Sequence, residues 1–103
     1  MSTNVIDFEN IKDNAKRAAA LLKALSNESR LMILCHLGEN ELSVTELNKL
    51  IDLSQSSLSQ HLARLRQDGF VSTRRESQTI YYRVENPVAM KIILVLQDEF
   101  CKK

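Results

Sequence analysis

Two thiols and one polar helix face are the parts of this 103-residue chain whose residue types could do chemistry. The thiols are Cys35, within LMILCHL, and Cys101, within DEFCKK. As thiolates they would be nucleophiles open to oxidation. Buried and protonated, each would be only a small apolar side chain, and among leucines that role is the commoner one for Cys35. A metal site is poorly supplied. His36 and His61 are the only histidines, there is no CxxC or HxxxH spacing, and one cysteine pair falls short of a transition-metal ligand set. No metal or other cofactor is expected.

The polar face lies in Leu53 to Gly69, LSQSSLSQHLARLRQDG. Leu58, Leu62 and Leu65 recur at i, i+4 and i+7, so they form one apolar stripe on a helix. Ser56, Gln60, Ala63 and Gln67 fall opposite it, with Ser59 and Arg64 on its flanks. That outward face is short, polar and nearly free of acid. Gln can address adenine bidentately in a major groove and Ser can meet either partner of a pair, so Gln55, Ser56, Ser57, Ser59, Gln60 and Arg64 are candidate DNA contacts. An ordinary solvated helix would carry similar residues. His61 lies beside the leucine stripe, where packing is as good an account as base contact.

The elements that must hold these residues can be read from caps and periods. Residues 1–7 are expected to be a flexible tail. From Glu9 to Leu25, Ile11, Ala15, Ala18, Leu22 and Leu25 make an amphipathic stripe whose small members permit close helix contact. Ser26 or Asn27 can cap a second helix, Glu28 to Leu37, which is apolar almost all round and so should be buried. Ser43 and Glu46 have capping-box spacing and open a short third helix through Leu47 and Leu50. Ser54 then caps the fourth, with Leu53 and Leu58 spaced as a hydrophobic staple and Gly69 as its C′ residue. Two short helices across a tight turn, spanning 43–68, form a helix-turn-helix pattern.

After Gly69 the period changes to two. Phe70 to Arg75 and Thr79 to Val84 are rich in β-branched and aromatic residues, and Glu76, Ser77 and Gln78 would turn between them. Arg74 and Arg75 would sit near the tip of this hairpin, spanning 70–84, where arginines can reach phosphates or a minor groove. A solvated hairpin is the plainer alternative. Asn86 and Pro87 start a last helix, 87–101, that is apolar on more than one side. It and the first helix are the expected homodimer interface, giving the two-fold symmetry of a reader of paired half-sites.

Composition narrows the functions open to the chain. A hydrophobic share of 44% and a charged share of 26% describe one soluble domain over 1–103. No apolar run is long enough for a membrane span, and MSTNVIDFEN lacks the regions of a signal peptide, so a cytoplasmic protein with no membrane partner is expected. The net charge is +1, yet Ser54 to Arg75 alone holds four arginines against Asp68. The positive charge is therefore local, as a footprint for nucleic acid should be. Two glycines and one proline leave no phosphate-cradling loop. No general base or substrate pocket is legible either, so an enzyme is not expected.

The segments ALSNESRLMIL (Ala24 to Leu34), ELSVTEL (Glu41 to Leu47) and LSQSSLSQHLARLRQDGFV (Leu53 to Val71) resemble the ArsR/SmtB family of winged helix-turn-helix repressors. The likeness covers about Ala15 to Cys101, and Ser56, Ser59, His61 and Leu62 reproduce the family's S-x-x-S-x-H-L pattern. It implies a mainly α fold with a small β-hairpin: four helices, two strands and a fifth helix. It also implies a homodimer on an imperfect palindromic operator in double-stranded DNA, released when an inducer is sensed. Most members sense metal through a Cys-x-Cys on the third helix, where this chain has Ser43 and Thr45, or through a last-helix site that needs a histidine this helix lacks.

The surroundings of Cys35 and Cys101 instead look like the persulfide-responsive branch of that family. There the two matching cysteines form a disulfide or polysulfide bridge within one subunit, and operator affinity falls. The inducer implied is a reactive sulfur species or an oxidant. Cys101, near the chain end and followed by Lys102 and Lys103, is the better candidate for first attack, with Cys35 resolving. The alternatives are a metal-responsive repressor of the same family, a winged-helix module for protein contact, and a thiol enzyme.

Overall fold

Most helices begin where a side chain satisfies the first free amides, as such ends require. A computed structural model describes residues 10–101. Its elements are α1 (Ile11–Leu25), α2 (Glu28–Leu37), β1 (Leu42–Ser43), α3 (Val44–Leu50), α4 (Gln55–Gln67), β2 (Val71–Glu76), β3 (Thr79–Val84) and α5 (Pro87–Phe100). The tail expected over 1–7 and the start of the first helix at Glu9 lie outside the described residues.

Asn27, not Ser26, caps α2, accepting from the Arg30 amide at 3.0 Å. Ser26 instead closes α1, its hydroxyl donating to the Lys23 carbonyl at 2.9 Å. The capping box at α3 is complete: the Glu46 amide donates to Ser43 Oγ at 3.1 Å, and the Ser43 amide donates to Glu46 Oε1 at 2.8 Å. Asn86 caps α5 through the Ala89 amide, with Pro87 in the first turn.

The sheet corrects the expected hairpin in two ways. It has three antiparallel strands in the order β1-β3-β2, because Leu42 and Ser43 pair with Tyr82 and Tyr81. A two-residue strand has no period to detect. It exists because Ser43, as an N-cap, is held extended at φ −81 and ψ 166, which presents its backbone to β3. The hairpin turn is also tighter than expected: Glu76 pairs with Thr79, leaving Ser77 and Gln78 to turn, with Ser77 at φ 59. Two-residue hairpin loops need a positive φ to match the twist of the strands.

The core is drawn from every layer. Ile33, Leu34 and Leu37 of α2, Leu47 of α3, Leu58, Leu62 and Leu65 of α4, Val71 and Val84 of the sheet and Ala89 and Ile93 of α5 form one buried cluster. The helix α2 is less covered than its sequence suggested, since Met32 remains 38% exposed. Of the α1 stripe only Leu25 is buried, while Ile11 and Leu22 stay exposed. Val88, Val95 and Phe100 of α5 are exposed too. The architecture is a mainly α winged helix-turn-helix: α3 and α4 are the helix pair and β2–β3 the wing. Among the described residues no helix is long and apolar enough to cross a membrane.

Candidate nucleic-acid interface and cysteine cleft

The fixing of α4 is local at both ends. Ser54 Oγ accepts from the Ser57 amide at 3.1 Å, and the Asn48 amide side chain donates to the Leu53 carbonyl at 2.9 Å, holding the turn from α3. At the other end Gly69 has φ 80, its amide meets the Arg66 carbonyl at 3.1 Å, and the Phe70 amide meets that of Leu65 at 2.9 Å. That bond pair is a Schellman closure, and its partners Phe70 and Leu65 are both buried. Leu58, Leu62 and Leu65 then lock the helix into the core.

With that stripe inward, Gln55, Ser56, Ser59, Gln60 and Arg64 all stand exposed. Ser57 and His61 are half-buried, so His61 keeps the boundary position that its angle implied. Ser56 Oγ lies 3.4 Å from Ser54 Oγ, and Arg64 donates to Asp68 at 2.9 Å across one helical turn. A face of exposed hydroxyls and amides can exchange hydrogen bonds with base edges.

The two wing arginines differ. Arg74 is held within the protein, at 2.9 Å from Glu41 Oε1 and 3.4 Å from Glu76 Oε1, with its guanidinium 4.8 Å above the Tyr81 ring. The Arg74 hydrogen bond keeps the Glu41 carboxyl below the usual carboxylate range. Arg75 is exposed and makes a longer contact, donating to the Ser77 carbonyl at 3.3 Å. Sequence reasoning missed Glu41 because its partner lies 33 positions away. It also passed over Arg83, which the strand register sets opposite Ser72 and whose Nε lies 3.4 Å from Ser72 Oγ.

The cysteines come together. Both are free thiols, Cys35 half-buried and Cys101 exposed, and both line an open cleft of about 430 Å³ with Met32, His36 and Gln97. The cleft lies where α2 packs on α5. Burial pushes the Cys35 thiol up from the ordinary value, and the nearby charge of Cys101 adds to this. A raised thiol is mostly protonated near neutrality and is a poor nucleophile. The Gln97 amide donates to the Cys35 carbonyl from one turn before Cys101, and no sequence period announced that bond.

Metal ligation does not fit the residues at the family's third-helix position. Thr45 and Ser43 offer no thiolate, and Ser43 Oγ is committed to the Glu46 amide. Among the described residues no three of His, Cys, Asp and Glu gather into a metal-holding group.

Residues 27–73 match the family described as bacterial regulatory protein, arsR family. Over 97 residues the chain is 46% identical to the transcriptional activator HlyU of Vibrio cholerae, covering 94% of this chain and 90% of that protein. A solved structure described as reduced HlyU from Vibrio cholerae matches with a TM-score of 0.85 and 48% identity, over 90% of this chain and 98% of that one. The crystal structure of the transcriptional repressor BigR from Xylella fastidiosa matches with a TM-score of 0.84 and 41% identity, over 92% of this chain and 94% of that one.

Proposed function

The chain belongs to the ArsR family of bacterial regulatory proteins and is a DNA-binding transcriptional regulator, not an enzyme; from that premise we propose that reversible disulfide or polysulfide formation between Cys35 and Cys101 controls its hold on an operator. The observation that carries this reading is the shared cleft: two thiols remote in sequence line one opening between α2 and α5. One relative's structure is described as reduced HlyU, which names a reduced form of that protein and is in keeping with this reading.

The regulator acts as a homodimer. Ile11 and Leu22 of α1 and Val95 and Phe100 of α5 are exposed apolar residues on the two terminal helices, and a second copy would cover them. The two α4 helices then address the half-sites of an imperfect palindrome in double-stranded DNA. Gln55, Ser56, Ser59 and Gln60 read base edges, with Ser57 and His61 at the margin of that face. Arg64 and Arg75 supply positive charge toward phosphates, and Arg74 joins them if freed from Glu41.

The inducer is a low-molecular-weight persulfide. The thiolate of the exposed Cys101 attacks its outer sulfur, giving a Cys101 persulfide and releasing the carrier thiol. Cys35 then attacks the inner sulfur of Cys101, forming the disulfide and expelling hydrogen sulfide. Two protein thiols and one persulfide thus become one disulfide, one thiol and one hydrogen sulfide. A bridge that retains an extra sulfur consumes a second persulfide as the oxidant and releases a second carrier thiol. The raised Cys35 thiol suits the resolving role, since it is the poorer first nucleophile.

The test combines mass spectrometry with operator titration. Persulfide treatment should join Cys35 to Cys101 and lower operator affinity by about tenfold or more, which is about 1.4 kcal/mol. Cys101→Ser should form no bridge and lose the response, with reduced-state affinity kept. A bridged protein that binds as tightly as the reduced one would refute the switch, as would unchanged thiols with tight zinc binding that releases DNA.

A further inference from the structure

Helix α2 ends abruptly, with Leu37 its last residue and Gly38 turning the chain at φ 51. The last carbonyls of a helix lack helical donors and must be met otherwise. The Asn40 amide takes the Leu37 carbonyl at 2.7 Å, while the Cys35 carbonyl receives the side-chain amide of Gln97 from α5. The same amide lies against Gly38, where a Cβ would stand 3.0 Å from Gln97 Nε2. Gly38 therefore serves both the turn and the close approach of Gln97. One turn further along α5, the Cys101 amide closes the helix on the Gln97 carbonyl at 2.9 Å. A single residue thus binds the backbone of one cysteine and is bound by the backbone of the other.

We infer that Gln97 is the positioning residue that transmits the sulfur state of the Cys35–Cys101 cleft to the operator-reading helix. This inference rests on the cysteine switch proposed above. A bridge between the two side chains draws the last turn of α5 across the cleft. Gln97 occupies that turn and lines the same cleft, so it moves with Cys101. A part-buried carbonyl that loses its donor carries a desolvation cost, so the end of α2 follows the amide. Ile33, Leu34 and Leu37 of α2 share one core cluster with Leu58, Leu62 and Leu65 of α4. Close-packed cores pass on such displacements. Without a donor at position 97 the bridge can close while α2 stays where it is.

Two variants separate coupling from sensing. Gln97→Met keeps the length of the side chain and removes the donor, whereas Gln97→Lys keeps a donor of similar reach. Each is converted fully to the bridged form with glutathione persulfide, checked by mass, and its operator affinity is compared with its own reduced form. The wild type and Gln97→Lys should lose affinity by about tenfold or more on bridging, and Gln97→Met by less than about threefold. A wild-type-sized loss in fully bridged Gln97→Met would overturn the inference and leave the switch standing, and so would a loss of response in Gln97→Lys equal to that in Gln97→Met. Failure of the wild type to bridge or respond would overturn the switch itself, and this inference with it. Because each variant is measured against its own reduced form, a general loss of stability leaves the ratio unmoved.

Discussion

Helix α4, the proposed reader of DNA, and the cysteine cleft are built by different means. Both ends of α4 are fixed by residues within or next to it, the Ser54 cap and the Gly69 closure, while its three leucines tie it to the shared core. The cleft has no such local plan. Its residues come from α2 and α5, and it exists only because those helices pack together. A helix capped by its own sequence keeps its shape when the core beneath it shifts, whereas a site made by tertiary packing changes whenever that packing does. The first arrangement suits reading DNA and the second suits control.

The comparison would fail most clearly if the two regions did not share one cooperative core, and truncating that core gives the largest expected effect. Leu62 is fully buried in the cluster that also holds Ile33 and Leu34 of α2. Leu62→Ala should destabilise the domain by about 2–5 kcal/mol, as loss of a buried leucine side chain does. In urea, helical circular dichroism and exposure of Cys35 to alkylation should follow the same transition. If Cys35 becomes reactive well before α4 melts, the cleft opens as a separate unit, and control need not pass through the core.

The same contrast explains what the sequence made legible. Caps, staple, capping box and terminal glycine are signals within a few residues, so the four helices from α2 on and the outward set Gln55, Ser56, Ser59 and Gln60 could be read directly. The strand Leu42–Ser43 could not, because two residues carry no alternation and its pairing with Tyr81 and Tyr82 is remote in sequence. Cys35 and Cys101 were nominated by residue type and family likeness, and their meeting in one cleft is a tertiary fact. The helical period sets Gln97 on the side of Cys101, but its bond gave no signal because the partner is a backbone carbonyl, a group every residue has.

Within the cleft itself, a smaller effect sharpens the division between the two thiols. Iodoacetamide near neutral pH should modify Cys101 several-fold faster than Cys35, since burial lifts the Cys35 thiol and only thiolate reacts. The gap should narrow as pH rises through the elevated Cys35 value. Stability runs the same way: a thiol whose folded value exceeds its unfolded one stabilises the fold below the unfolded value, and that contribution disappears as pH rises through the folded one. Faster labelling of Cys35 at neutral pH, read by peptide mass, would reverse the proposed order of attack.

The smallest expected effect tests whether the DNA-reading side is wholly local. Arg74, on the wing, is held by Glu41, which lies 33 positions earlier just before β1. The pair is exposed, and exposed pairs contribute little to folding, so Glu41→Gln should leave the melting temperature close to wild type. Its consequence should appear in binding, because the variant frees a guanidinium that the carboxylate otherwise holds. If Arg74 then reaches a phosphate, the slope of log affinity against log salt should steepen by about one unit per subunit. Acid should mimic the substitution: the Glu41 carboxyl is depressed by Arg74, so the pair is intact above the ordinary carboxylate value and is lost as pH falls through the lowered one. An unchanged slope in Glu41→Gln would mean that Arg74 braces the wing in the bound state too. In that event Arg75 would be left as the wing's contact, and the DNA-reading surface would depend on a distant residue much as the cleft does.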